Sequence, residues 1–294
     1  MRSDLTSVDL FVTALRSSSS SSPIYCRLNW HERVGLTPVI IGYDKRMTES
    51  TNGPSRDGDP GLDLRALPAD LVAVLESAAR LQELVPDAVL VGGSAAALYA
   101  RHRASFDHDH VVADLRGRFE VVLDALERES GWVTERVVAD KIILGDLGGI
   151  EAGIRQLVRR LPLEVADVVL PSGRHLRVPT APETLRVKAY LLVKRNQTRD
   201  HLDVAALADR YGLDWAADVL GPIDDYYTDP RQDRDSVASQ LIRQLGSPAP
   251  KDSRTIRRLA SYKQLRGRYH DWATVCAVLG EVAERMVDPA GGRP

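Results

Sequence analysis

The stretch VLVGGSAAALYARHRASFDHDHVV, residues 89–112, contains the pattern that decides the fold. A short apolar run predicts a buried strand, and the glycine pair after it predicts a turn into a helix over residues 95–101. The following segment, FDHDHVV, predicts a second strand. Strand, turn, helix and strand in this order indicate a domain that mixes helices with a sheet.

Composition and charge narrow the class of protein. With 44% hydrophobic residues in 294 positions, the chain can bury a sizeable core. A net charge of −2 predicts no class of partner. Cys26 and Cys276 lie far apart, which predicts a reducing compartment and no structural zinc. With no apolar stretch of bilayer length and no signal pattern, we expect a soluble cytoplasmic protein without a membrane partner.

The rest of the chain divides into three parts by pattern. Residues 1–62 predict an N-terminal extension with a serine-rich loop and a turn-rich linker. Residues 63–180 predict the mixed core domain, in which GIEAGIRQLVRR (residues 149–160) is expected to be helical. Residues 181–294 predict a helical C-terminal domain, which begins after a capping box of Thr180 and Glu183. The predicted fold class is therefore α+β, followed by an all-helical domain.

Two aspartates on the second strand suit a divalent cation. Asp107 and Asp109 are two residues apart, so both side chains leave the same face about 6–7 Å from each other. Mg²⁺ takes one or two protein carboxylates together with substrate phosphates. The alternative is the ordinary polar face of an edge strand. His108 and His110 point to the opposite face, and a zinc site there lacks evident further ligands.

The glycine turn suits an anion. Gly92, Gly93 and Ser94 follow a strand and begin a helix, where free backbone N–H groups and the helix dipole favour phosphate. The alternative is a plain tight turn, since the triplet matches neither the dinucleotide fingerprint nor the P-loop. A phosphate cradle followed by a carboxylate pair meets the two needs of phosphoryl or nucleotidyl transfer.

Two segments carry a resemblance to a known family. VGGSAAALYARHRASFDHDH resembles the glycine-serine and DxD signature of polymerase-β-like nucleotidyltransferases. VPTAPETLRVKAYLLVKRNQTRDHLDVAAL (residues 178–207) resembles the second signature of one branch, the AbiEii toxins. That branch includes the MenT toxins, which add nucleotides to the 3′ acceptor end of tRNA.

The resemblance implies a set of site residues. It makes Asp107, Asp109, Lys188 and Asp203 catalytic, with Mg²⁺ or Mn²⁺ as cofactor and an NTP as substrate. Nucleotide contacts would come from Gly93, Ser94, Ser105 and Lys188, and a third metal carboxylate from Glu164, or alternatively Asp167. Asp203 would orient Lys188 or Arg199 or act on the attacking hydroxyl. Without the resemblance, Lys188 reads as a solvated helix lysine and Asp200 as a helix N-cap.

Residues 251–268, called the basic segment below, indicate a nucleic-acid partner. The segment contains Arg257, Arg258, Lys263, Arg266 and Arg268, interleaved with aromatic residues. Basic residues beside aromatics suit a phosphate backbone and unstacked terminal bases, and the alternative is a solvated helix face.

Together these features predict a nucleotidyltransferase that modifies the tRNA acceptor stem. By resemblance, it would be a toxin that blocks translation and is neutralised by an antitoxin protein. The alternatives are transfer to a small molecule or a protein side chain, and a catalytically silent module that binds RNA or a partner.

Overall fold

The computed structural model describes Leu62, Leu64, residues 67–228 and residues 235–288. All described residues belong to one compact unit. Apart from Leu62, the predicted N-terminal extension with its serine-rich loop and linker lies outside the described residues.

A five-stranded mixed sheet carries the two aspartates at its parallel strand pair. Its strands are β1 (Val89–Val91), β2 (Asp107–Val112), β3 (Trp132–Val138), β4 (Ile142–Leu147) and β5 (Glu151–Gln156), in the order β1-β2-β5-β4-β3. Only β2 and β5 pair in parallel, and the other neighbours are antiparallel. A separate antiparallel pair consists of β6 (Val165–Val169) and β7 (His175–Pro179).

Helices flank the sheet and make up most of the chain after β7. They are α1 (Ala69–Leu84), α2 (Gly92–Ala100), α3 (Phe119–Glu127), α4 (Ala181–Arg195), α5 (Thr198–Tyr211), α6 (Leu213–Leu220), α7 (Ile223–Tyr226), α8 (Val237–Gly246), α9 (Ser253–Ile256) and α10 (Trp272–Val287). The predicted capping box is present, because the Glu183 N–H donates to Thr180 Oγ1 at 3.4 Å. The α+β class and the helical C-terminal part are confirmed.

The helix expected over residues 149–160 is wrong, because this segment forms β5. Ala152, Gly153 and Ile154 are all buried, and β5 is hydrogen-bonded between β2 and β4. Pairing on both sides outweighs the local helical pattern, which is a weak preference. This strand brings Arg155 next to β2.

The basic segment is not the regular helix that the sequence predicts. It consists of α9 and two short 3₁₀ turns, Leu259–Ser261 and Gly267–His270. Lys263 and Gln264 between them adopt left-handed backbone conformations, with φ of 41° and 50°. Such backbone conformations are uncommon for residues other than glycine, and they interrupt a helix.

Two clusters of buried apolar side chains meet at α1. The larger joins α1, α2 and β7 to the later helices, and includes Leu75, Leu98, Leu185, Leu207 and Leu279. The smaller lies between α1, α3 and the sheet, and includes Leu81, Leu115, Leu126, Ile143 and Ile154. The larger cluster has members on both sides of Thr180, where the domain boundary stays a prediction. No helix among the described residues is long and apolar enough to cross a membrane.

Candidate active site

The two aspartates share one face of β2, as the sequence predicts. Asp107 and Asp109 are partly exposed, whereas His108 and His110 are buried on the other face. His108 Nε2 lies 3.1 Å from Ser77 Oγ on α1, and burial lowers the pKa of His108 to about 4. The histidines therefore belong to the packing beneath the sheet, and only the aspartates face the side where a substrate can bind.

Two glycines leave space for the Asp109 carboxylate. A Cβ on Gly92 would lie 3.1 Å from Asp109 Oδ2, and a Cβ on Gly153 would lie 2.7 Å from Oδ1. Gly92 also has a φ of +78°, which side chains rarely adopt. The carboxylate is thus held in a slot between the start of α2 and β5.

The glycine turn joins α2 directly to β2. Ser94 is fully buried, and its hydroxyl donates to the Asp107 carbonyl oxygen at 2.5 Å. This bond fixes the beginning of β2 relative to α2. The role of Ser94 as a phosphate ligand stays a prediction. Gly93 lies against two other side chains, since a Cβ there would be 2.6 Å from Ser105 Oγ and 3.0 Å from Arg103 Nη2.

Asp203 is the centre of a buried cluster of charged side chains. Arg103 makes two hydrogen bonds to its carboxylate, at 2.7 and 2.9 Å, and Lys188 Nζ lies 2.7 Å from Oδ2. His102 Nε2 lies 2.7 Å from Oδ1. Burial raises the pKa of Asp203, but Arg103 and Lys188 outweigh it and hold that pKa well below its ordinary value. Asp203 therefore holds two cations together, and one of them, Arg103, lies against Gly93 of the glycine turn.

Lys188 is a buried residue rather than the solvated helix lysine of the alternative reading. Only 1% of it is exposed, and its pKa is lowered by burial, an effect that Asp203 partly opposes. Its predicted contact with the triphosphate stays a prediction. Asp200 is not the N-cap of α5, because Gln197 holds that position and Asp200 accepts two hydrogen bonds from Arg195.

Each aspartate on β2 has a cation beside it. Lys263 Nζ lies 3.9 Å from Asp107 Oδ1, and Arg155 Nε lies 3.4 Å from Asp109 Oδ1. Burial raises the pKa of Asp107. Lys263, Ser105 and Arg103 lower this pKa by a larger amount, so it lies below its ordinary value. At neutral pH Asp107 is a carboxylate ready to bind a cation.

Backbone pairing across a long sequence separation places Lys263 at the site. The Ala104 N–H donates to the Lys263 carbonyl at 2.8 Å, and the Arg266 N–H donates to the His102 carbonyl at 2.7 Å. The basic segment therefore runs alongside the loop that precedes β2. Sequence reasoning assigned Lys263 to RNA, and nothing local in the sequence reveals this placement.

Sequence reasoning also missed Arg103 as a site residue. Its only signal was its position in the loop that contains Ser105, four residues before Asp107. The structure shows its guanidinium against Gly93, fixed there by Asp203.

Glu164 is not grouped with the aspartates. It precedes β6 in the other sheet, and its carboxylate pairs with Arg186 at 3.1 Å. The strand beside β2 is β5, where Glu151 is the register partner of Asp107. Among the described residues, no three His, Cys, Asp or Glu side chains converge as a metal site, so neither Glu164 nor Asp167 completes one. Two carboxylates still fit Mg²⁺ or Mn²⁺, since these ions accept phosphate oxygens and water as further ligands.

The residues expected to bind RNA are mostly exposed, but they differ in their contacts. Arg257, Arg258 and Arg266 are exposed, while Lys263 faces Asp107. Arg268 forms an ion pair with Asp209 on α5. Their contacts with RNA stay a prediction.

Comparisons with known proteins give partial similarities, and no family model matches the chain. The chain is 33% identical to the heme uptake protein MmpL11 of Mycobacterium tuberculosis over 213 residues, which cover 63% of this chain and 20% of that protein. It therefore spans about a fifth of the length of the curated relatives that it matches.

Solved structures similar to this chain include nucleotidyltransferases. The nucleotidyltransferase toxin MenT4 of Mycobacterium tuberculosis matches at 17% identity with a TM-score of 0.47, over 74% of this chain and 84% of that one. A putative nucleotidyltransferase of H. pylori matches at 18% identity with a TM-score of 0.37, over 72% and 95%. None of these similarities identifies a substrate, so the site residues themselves carry the proposal.

Proposed function

We propose that this chain is a metal-dependent nucleotidyltransferase that transfers a nucleoside monophosphate from an NTP to the 3′ acceptor end of tRNA. The observation that carries the proposal is the position of Asp107 and Asp109. They share one face of β2 beside the first turn of α2, and cationic side chains surround them. A carboxylate pair next to a phosphate-binding helix start meets the needs of phosphoryl chemistry.

One group of site residues would bind the metal, and another group would bind the phosphates. Asp107 and Asp109 would hold Mg²⁺ or Mn²⁺, which when bound supplies positive charge to the phosphate oxygens. The backbone N–H groups at the start of α2 bind phosphate beside it, and Arg103 adds a guanidinium that Asp203 holds in place. In the transfer, the acceptor 3′ oxygen bonds to the α-phosphorus, pyrophosphate leaves, and the hydroxyl proton is released to solvent. Catalysis is then mainly positioning and charge neutralisation.

The acceptor and the biological role rest on the basic segment and on the family resemblance. Arg257 and Arg266 are exposed close to Lys263 in sequence, and exposed arginines suit the phosphates of an RNA acceptor stem. The resemblance to AbiEii toxins supports a toxin that blocks translation in the cytoplasm and is neutralised by an antitoxin protein.

Labelling of RNA tests the reaction directly. The purified chain is incubated with total tRNA, Mg²⁺ and each α-labelled NTP separately, and labelled RNA is resolved on a gel. We expect label in tRNA with one or two of the NTPs. In Asp109→Asn the rate should fall about 100-fold or more, because a group that stabilises the transferring phosphate is lost.

A matched control separates chemistry from stability. Asp124 is an exposed residue of α3 outside the site, so Asp124→Asn should label tRNA at the normal rate. Folded protein that binds NTP and labels no RNA would refute the tRNA acceptor and direct the search to small molecules or protein side chains. Unchanged NTP binding in a double variant without Asp107 and Asp109 would indicate a catalytically silent module.

A further inference from the structure

A cavity opens within the basic segment. It has a volume of about 290 Å³ and is lined by Arg254, Thr255, Arg258, Ser261, Tyr262 and Lys263. Three of these side chains are cationic and three carry hydroxyl groups, and the lining contains no carboxylate. A cavity with this lining attracts an anion that has several oxygen atoms.

The two arginines that line the cavity have no carboxylate partner among the described residues. Within residues 67–228 and 235–288, neither Arg254 nor Arg258 forms an ion pair, and both are exposed. Arg268, a few residues later, is by contrast held by Asp209. Unpaired guanidinium groups bind phosphate oxygens through paired N–H donors.

Lys263 connects the cavity to the metal-binding carboxylates. It lines the cavity, and its Nζ lies 3.9 Å from Asp107 Oδ1. Its position is fixed by the hydrogen bonds of the basic segment to the loop before β2, and its backbone is held at a φ of 41°. Left-handed conformations of this kind cost energy and persist where the surroundings impose them, which is frequent at functional sites. An anion in the cavity therefore lies next to any metal bound by Asp107.

We propose that this cavity binds the polyphosphate part of the NTP, which leaves as pyrophosphate. The inference deepens the proposed function and rests on it. The α-phosphate then lies at the aspartates, while Arg254, Arg258 and Lys263 bind the phosphates beyond it.

Binding of tripolyphosphate to the whole chain, without RNA or metal, tests the cavity. Isothermal titration calorimetry should detect binding to the unaltered protein. Arg258→Gln and Lys263→Met should each weaken it about tenfold or more, since each removes a charge-assisted contact. Arg257→Gln is the matched control, because Arg257 is an exposed neighbour that does not line the cavity. Its affinity for tripolyphosphate should be unchanged.

Two outcomes would overturn the inference. Equal affinity of Arg257→Gln and Arg258→Gln for tripolyphosphate, with both variants folded by circular dichroism, would show that the cavity is not the site. Normal tripolyphosphate affinity with weakened tRNA binding in Arg258→Gln would assign the cavity to the RNA backbone. Neither readout depends on nucleotide transfer, so tripolyphosphate binding in a protein that labels no RNA would leave the cavity supported and the proposed reaction refuted.

Discussion

Replacement of Gly153 by alanine should remove most activity while leaving the fold nearly as stable. The added Cβ would lie 2.7 Å from Asp109 Oδ1 and 3.1 Å from Leu144 Cδ2. The first distance is about 0.7 Å short of the 3.4 Å at which ordinary contact begins. The Asp109 carboxylate is the movable partner, because it is the end of a side chain and the strands on either side are fixed by pairing.

The expected magnitudes follow from what has to move. Rotating a carboxylate away from its preferred position costs about 1 kcal/mol, so the free energy of unfolding should change by no more than about that amount. A misplacement near 1 Å at a catalytic group costs about 100-fold in rate. The rate of nucleotide transfer to tRNA should therefore fall about 100-fold in Gly153→Ala.

Two further glycine variants make the comparison decisive. A Cβ on Gly145 would lie 2.5 Å from both Trp132 Cζ2 and the Val133 carbonyl oxygen, so Gly145→Ala should cost about 1–3 kcal/mol of stability. Gly280 in α10 has nothing within 4 Å of its Cβ position, so Gly280→Ala should be neutral or stabilise by about 1 kcal/mol. Urea denaturation and the labelling assay are measured on all three variants. Full activity of Gly153→Ala, or a loss of stability equal to that of Gly145→Ala, would refute the slot for Asp109.

Two other predictions concern buried ionisable side chains. Asp203→Asn leaves Arg103 and Lys188 without their counter-ion, so urea denaturation should show a loss of about 3–5 kcal/mol. In Asp209→Asn, which breaks the exposed ion pair with Arg268, the loss of stability should be about 1 kcal/mol or less. Equal losses of stability in the two variants would contradict the buried charge cluster around Asp203. His108 has a folded pKa of about 4 against 6.5 in the unfolded chain, because burial disfavours its charged form. The unfolded chain therefore binds the proton first, and the free energy of unfolding should fall as pH drops from 6.5 toward 4. In His108→Gln that decline should be shallower, and an unchanged slope would contradict a neutral buried imidazole.

The parts of the fold that the sequence predicts are those set by local pattern. Alternation in DHDHVV places Asp107 and Asp109 on one face of β2, and the structure agrees. The capping box at Thr180 starts α4 as expected. In both cases the decisive interactions are within a few residues, so the sequence contains all the information that is needed.

β5 could not be predicted because pairing with two strands decides it, and one of them, β2, is far away in sequence. EAGIRQ has only two buried apolar side chains, Ala152 and Ile154, and the residues that follow continue a helical pattern. The segment becomes a strand because β2 and β4 offer hydrogen bonds on both sides. Because a helix was expected there, the slot formed by Gly153 and the contact between Arg155 and Asp109 were not predicted.

The cationic part of the site was also hidden by distance along the chain. Lys263 reaches Asp107 only through backbone pairing with residues 102–104. Arg103 and Lys188 are joined through Asp203, which lies on another helix. The sequence predicted the carboxylates, and long-range packing supplies the cations that act with them.

The pairing of the basic segment with the loop before β2 also determines when the site can form during synthesis. A ribosome makes the chain from its N-terminus, and parts of a protein fold as they appear. A nascent chain that has not yet reached residue 263 contains both aspartates and the glycine turn, but lacks Lys263 and the cavity wall beside it. The site described here is therefore assembled only after residue 263 and the segment around it have been synthesised.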